Sequence, residues 1–495
     1  MIARSKKVRL ALPVAAAAVI GLLAASTARA AGAEPGEAPE LPAKKSVSQY
    51  GIEWTFEKPV PVGQFVNGDW YVVGPATVAS ISPRPADGRN GSVLNVRIND
   101  KIGFDSRLRQ GRWDGEQFRA PPIDLKPGDS LVSTISADPG THPRMMRPSS
   151  KVPHPVLTAA VLTCLDKPAP KDAFRPSYCD KTNKLYFARN LRRQMLPKLK
   201  IPSAAKKGHK GVDALHKIRP ASWDQTDISI WTRVFQRPYI DTCFDGFASP
   251  IQNMPQYGRE YARAAGIGGL LLCCDFTDEQ KTPLLINMVQ VGIDLWGVAL
   301  AGHRGWPAHG GHGNGRKFMI VFAGLMLDEK DMMNPYAKCP KLKLSEDMQT
   351  MFGKSWTGAD VVYAGHVGKD GLKGKTGWGA YEHLHPSKWE DKIGESYRRC
   401  CTSHVFVGEA LVFRLLRAEK VWNHDAFFAY ADRWMTEDDT EHIRIIKAAG
   451  MGDYSEGYFR GRSSWDPLVN EMWKAYRHSA GSAPTGGPSS QTPNP

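Results

Sequence analysis

Cysteine is scarce, with eight in 495 residues, too few for a disulfide scaffold. None falls in a CxxC or CxxCH pattern, which argues against zinc ribbons and c-type cytochromes. Long apolar runs are equally few. Beyond Leu10–Ala25 no stretch reads as a bilayer span. No fixed-period repeat occurs, which disfavours a solenoid. Gly310–Gly315 followed by Arg316-Lys317 imitates a phosphate loop, but it lacks the lysine and hydroxyl at the required places and follows a helix-like segment. His303, His309 and His312 could together hold zinc, although they match no HExxH-type spacing. No nucleic-acid reader motif is present, so nucleic acid is not an expected partner.

The chain is 42% hydrophobic and 23% charged, as a soluble globular protein is. Its net charge of +15 resides in two places. Residues 1–30 hold five Lys/Arg and no acid, and residues 181–220 hold twelve against Asp213 alone. The rest is close to neutral. A basic start, the apolar Leu10–Ala25 and Ala28-Arg29-Ala30 describe a secretory signal peptide over 1–30, implying a periplasmic or secreted protein with no transmembrane anchor after signal removal.

Residues 31–48, rich in Pro, Ala and Glu, read as a flexible linker. Over 49–166, β-prone runs (Trp70–Val73, Ser92–Val96, Ser130–Ile135) alternate with Asp87-Gly88, Asn90-Gly91 and Pro127–Asp129 turns, predicting a β-sandwich. Residues 167–220 form a basic connecting segment, whose 181–220 part would steer an acidic polymer, anchor the protein to an anionic envelope or serve only as a solvated linker. From 221 to 478 the apolar period is helical. Thr282-Pro283 predicts a helix start, and Phe318–Leu327, Val405–Leu416, Ala426–Met435 and Leu468–Tyr476 follow. So long a helical run exceeds one four-helix bundle and predicts an all-α helical-hairpin domain of α/α-toroid type. Residues 479–495 read as a disordered tail. Cys164 and Cys179 are spaced for a local bridge, and the adjacent pairs Cys273-Cys274 and Cys400-Cys401 suit buried thiols.

Residues 303–317 (HRGWPAHGGHGNGRK) are the densest polar cluster, set between apolar helices. A second cluster runs from Trp378 through Tyr381 and His383 to Tyr397-Arg398-Arg399. Histidine and tyrosine can move a carbon-bound proton beside a carboxylate, while arginine and asparagine neutralise that carboxylate. Tyr257 belongs to a third set with Arg237, Asp241, Asp245, Asn253 and Arg259. Asp241 with Asp245, or Glu382 with Glu395, would instead provide the carboxylate pair of a glycosidase.

This layout resembles exported α/α-toroid polysaccharide lyases of the alginate and glucuronan lyase type. The resemblance lies in the signal peptide, the helical-hairpin region from Ser222 to His478 and the loops WPAHGGHGNGR and ESYRR, about half of the chain. The β unit here precedes the helices, whereas many such lyases carry theirs after the toroid. The resemblance implies β-elimination on an anionic polyuronate; no metal or cofactor is expected. His309, His312, Asn314, Tyr381, Tyr397 and Arg398 would be catalytic, with a histidine as base, Tyr397 or Tyr381 as acid, and Asn314, Arg316 and Arg398 on the carboxylate. His303, Arg304, Trp306, Arg316, Trp378, His383 and Tyr257 would bind substrate. A toroid glycoside hydrolase and a non-catalytic carbohydrate-binding or envelope-scaffold protein are the competing readings.

Overall fold

β2 (Ile52–Gln64) organises the N-terminal region because its two halves pair with different neighbours. In a computed structural model of the chain, its first half joins β1 (Ala43–Gln49) and β4 (Ala76–Ser82), and its second half joins β3 (Trp70–Val73). A register shift between Thr55 and Phe56 marks the bend. The remaining strands are β5 (Ser92–Leu94), β6 (Ile123–Leu125), β7 (Ser130–Ser136) and β8 (Val156–Leu165). Together they make one curled mixed sheet in the order β5-β7-β8-β3-β2-β4-β6, with β1 also on β2. β3 and β8 run parallel. The expected sandwich of two separate sheets is therefore corrected to a single sheet, continuous through β2. The expected linker is partly strand as well, since 43–48 lie in β1.

The structure describes residues 40–99, 101–107, 111–138, 156–180, 184–206, 226–242, 252, 257–365, 381–452 and 461–478. The signal peptide, the tail, residues 31–39 and 207–220, Trp378, Asp245 and Asn253 lie outside them.

Every residue of β8 is buried, because both faces of the strand are covered. Ala160, Leu162 and Cys164 join the core inside the curl, while Ala159 and Val161 join the core shared with the helices. An unbroken apolar run is what a strand covered on both faces requires. Arg175 adds an electrostatic lock. Its guanidinium meets Asp69, beside β3, at 2.5 Å and Asp294 at 2.7 Å, with all three side chains buried. Burial pushes the Asp294 carboxyl up to about 6, with Arg175 opposing the shift.

The helical region comprises α1 (Ile228–Val234), α2 (Gly258–Leu272), α3 (Asp278–Leu300), which contains Asp294, α4 (Arg316–Leu327), α5 (Lys330–Met333), α6 (Ser345–Gln349), α7 (Ile393–Tyr397), α8 (Ser403–Leu415), α9 (Glu419–Trp422), α10 (Asp425–Thr436), α11 (Thr440–Ala448) and α12 (Pro467–Tyr476). α3 begins before Thr282-Pro283: Thr277 and Gln280 close a reciprocal capping box, and Pro283 lies inside the helix. By length and apolarity α3 passes for a membrane span, contrary to the sequence reading, yet 89% of its apolar 18-residue stretch is buried within the protein. α4 is buried at every position, and α3 packs on it. α2 packs on α8, where Gly266 and Gly408 meet so closely that a Cβ on Gly266 would lie 3.1 Å from Gly408 Cα.

Residues 184–206 of the basic segment lie against these helices. Arg192 N–H donates to Met326 O, Leu199 N–H to Cys273 O, and the Tyr476 hydroxyl to Lys200 O. Lys184 pairs with Glu329 and Arg189 with Asp172, so local acids neutralise part of the positive charge.

Candidate active site

Gly315, at a φ of 89°, ends the 303–317 loop and N-caps α4. A short strand near its start, β9 (Gly305–Trp306), pairs in parallel with β10 (Lys343–Leu344). His303 Nδ1 accepts the Gly305 N–H at 3.1 Å, and its ring lies 4.9 Å from that of Trp306, so both buried side chains shape the turn. Arg304 is exposed. Asn314 is fully buried: its Oδ1 accepts from Ser345 and its Nδ2 donates to Cys401 O at 3.4 Å. Arg316, also fully buried, pairs with Asp241 at 2.7 Å, donates to the Tyr239 hydroxyl and lies over the Tyr239 and Tyr261 rings. Asn314 and Arg316, both expected on the substrate carboxylate, are buried and engaged in building the loop.

The half-buried members are His309, His312, Tyr257 and Tyr397. The His309 and His312 rings stack at 5.4 Å, and Tyr257 stands edge-on to His312 at 4.9 Å. Gly258 permits this approach, because a Cβ there would sit 2.1 Å from Gly311 O. The Tyr257 hydroxyl oxygen accepts the Gly311 N–H at 3.1 Å. Burial pushes the Tyr257 phenol up to about 12, with Arg259 opposing and a nearby Tyr397 reinforcing the shift. Tyr257 therefore keeps its proton at neutral pH. Arg259 lies over the Tyr257 ring at 5.4 Å, pairs with Glu260 and donates to Cys400 O at 3.0 Å, with a quarter of its side chain exposed.

The second cluster is mostly scaffold. Tyr381 donates to Glu395 at 2.6 Å, and burial raises its phenol well above the ordinary range. Burial alone would raise Glu395, but the Arg398 and Arg399 guanidinium groups outweigh it and hold this carboxyl at about 2. Arg398 also meets Glu382 and the Tyr430 hydroxyl, and Arg433 grips Glu382 with two nitrogens at 2.9 and 3.0 Å. Arg399 pairs with Asp439. Arg398 and Tyr381, expected as carboxylate binder and acid, are both buried and paired inside the protein. Glu382 and Glu395 are both engaged by arginine and buried, and Asp241 is held by Arg316, so none stands as an exposed glycosidase pair. His383 is exposed.

The two clusters meet. Gln349 Nε2 donates to Gly310 O at 2.7 Å and to the Tyr363 hydroxyl at 3.3 Å. Tyr363 closes a hairpin of β11 (Thr350–Phe352) and β12 (Val361–Tyr363), and its backbone N–H donates to Glu382. A π-helical turn at 398–402 follows α7, and its Cys401 carbonyl receives Asn314. Sequence reasoning named Arg259 without giving it a role, and it did not single out Tyr363 or Gln349. Arg259 is signalled only by its position beside Tyr257 at the start of α2.

Cys400 and Cys401 form a vicinal disulfide, where buried thiols were expected. Cys164 and Cys179 are free, which corrects the expected bridge, and Cys273 and Cys274 are buried thiols. Beneath the site, α6 and α8 bring in two fully buried acids. Glu346 accepts the Gly315 N–H at 2.6 Å through one oxygen, while its other oxygen and both oxygens of Glu409 have no hydrogen-bond partner. Burial raises both carboxyls; Asp347 adds to the shift at Glu346, and Glu346 adds to the shift at Glu409. Among the described residues no group of three His, Cys, Asp or Glu side chains is placed to hold a metal ion. No protein-family model, curated protein or solved structure matches the chain.

Proposed function

We propose that the protein is an exported polysaccharide lyase that cleaves an anionic polyuronate by β-elimination, its helices forming an α/α toroid. The observation that carries this reading is the half-buried grouping of two imidazoles and two phenols beside the partly exposed Arg259. His309 or His312 removes the proton on the carbon next to the carboxylate. The released electron pair forms the carbon–carbon double bond as the glycosidic carbon–oxygen bond breaks. Tyr397 or Tyr257 returns a proton to the departing oxygen. Arg259, rather than the buried Arg316 and Arg398, neutralises the substrate carboxylate.

The glycosidase alternative is less well supported, since Asp241, Glu382 and Glu395 are all buried in ion pairs with arginine. Incubation with alginate, glucuronan and glycosaminoglycans tests the lyase reading through the ultraviolet absorbance of unsaturated uronate. Reducing ends without that absorbance would favour a hydrolase instead.

A further inference from the structure

The Cys400–Cys401 disulfide is not part of a scaffold, since the other described cysteines, Cys164, Cys179, Cys273, Cys274 and Cys339, are free. It sits inside the π-helical turn at 398–402, the kind of backbone irregularity that concentrates at functional sites. Both carbonyls of the bonded pair carry parts of the candidate active site. Cys400 O accepts from Arg259 Nη1 at 3.0 Å, and Cys401 O accepts from Asn314 Nδ2 at 3.4 Å. Gly311 is pressed on the same support: a Cβ there would lie 2.6 Å from Cys401 O. The guanidinium on one side and the histidine loop on the other thus lean on one small covalent ring. Cys400 is half-buried and Cys401 buried, so an incoming thiolate meets Cys400 first.

We propose that the Cys400–Cys401 bond is a thiol-exchange site that sets the position of the His309–His312 loop and of Arg259, with a dithiol as its reaction partner. A thiolate of the dithiol attacks Cys400 Sγ, and the sulfur–sulfur electron pair leaves on Cys401, which takes a proton from water. The second thiol of the reagent then attacks the mixed disulfide, releases Cys400 as a thiol and closes the reagent's own disulfide. The protein gains two electrons and two protons, and the dithiol loses the same. Opening the ring frees the peptide units that hold Arg259 and Asn314, so the loop loosens from the turn. The proposal rests on the location of the candidate site, and its meaning as control of catalysis rests on the lyase reading.

The test uses the full chain. Maleimide labelling of denatured protein, mapped by mass spectrometry, is expected to leave Cys400 and Cys401 unlabelled until dithiothreitol is added. Hydrogen–deuterium exchange of the native protein is then compared with and without dithiothreitol. Exchange in 309–314 and 257–260 is expected to rise several-fold on reduction, and a Cys400→Ser/Cys401→Ser variant should show the raised exchange with no response to reductant. The comparison on the unsubstituted chain stands even where that variant does not fold. Labelling of both cysteines without reductant, or unchanged exchange in 309–314 after their reduction, overturns the proposal. Neither readout needs lyase activity, so an inactive protein with a responsive loop refutes the lyase reading alone.

Discussion

The hydroxyl oxygen of Tyr257 accepts the backbone N–H of Gly311 at 3.1 Å, tying the start of α2 to the middle of the histidine loop. That bond sets His312 edge-on to the tyrosine ring and puts a protonated phenol beside two imidazoles. Tyr257→Phe removes the bond and keeps the ring. A single hydrogen bond contributes about 1 kcal/mol to stability, so the variant should fold with little change in Tm. Turnover of a polyuronate, measured by absorbance, should fall much more than stability does.

Gly258→Ala is expected to be more disruptive than a helix-favouring substitution usually is. Alanine suits helices better than glycine by about 1 kcal/mol, but its Cβ would meet Gly311 O at 2.1 Å and His312 O at 2.2 Å, both backbone atoms. Overpacking of this kind costs about 1–3 kcal/mol. Thermal unfolding should therefore show a lower Tm, where propensity alone predicts a higher one.

Arg316→Met leaves Asp241 as an uncompensated buried charge. Breaking a buried pair by removing one partner costs about 3–5 kcal/mol, so urea unfolding should show a large loss of stability. Arg316→Met with Asp241→Leu should recover much of it, because no charge is then stranded. A substrate-binding arginine would behave differently, losing affinity while stability held.

Glu409 gives a pH signature. Burial, reinforced by Glu346, raises its carboxyl well above the ordinary value near 4.5 in the folded chain. The folded state therefore binds a proton that the unfolded state has already released, and stability falls as pH rises above the ordinary glutamate range toward the raised folded value. Glu409→Gln removes that dependence. The Tm of the variant minus that of the parent should grow as pH increases, and a difference independent of pH would show that Glu409 ionises normally.

Helical period in the sequence marks α4, α8, α10 and α12 within a residue or two, because each turns a broad apolar surface onto neighbours. The same logic misplaces the start of α3, where Thr277 and Gln280 outcompete the more conspicuous Thr282-Pro283 pair. Alternating β runs are visible, but the parallel pairing of β3 with β8 joins strands more than eighty residues apart, which local pattern does not encode. The 303–317 loop stands out by its chemistry. Which of its groups face solvent does not, since Asp241, the partner that buries Arg316, lies 75 residues away. Arg398 is withdrawn in the same manner by Glu382 and Glu395, while Arg259 keeps an exposed edge.

The central claim is that the His309, His312, Tyr257 and Tyr397 grouping removes and returns protons on a polyuronate. Its most direct test is the rate of unsaturated uronate formation by the full chain and by a His309→Ala/His312→Ala variant, each confirmed folded by circular dichroism. Loss of a general base lowers rate by about 10²–10⁴-fold, so the parent should form unsaturated product and the variant should lose activity on that scale. A folded parent that forms none on any polyuronate, or a double variant that matches the parent, would contradict the account.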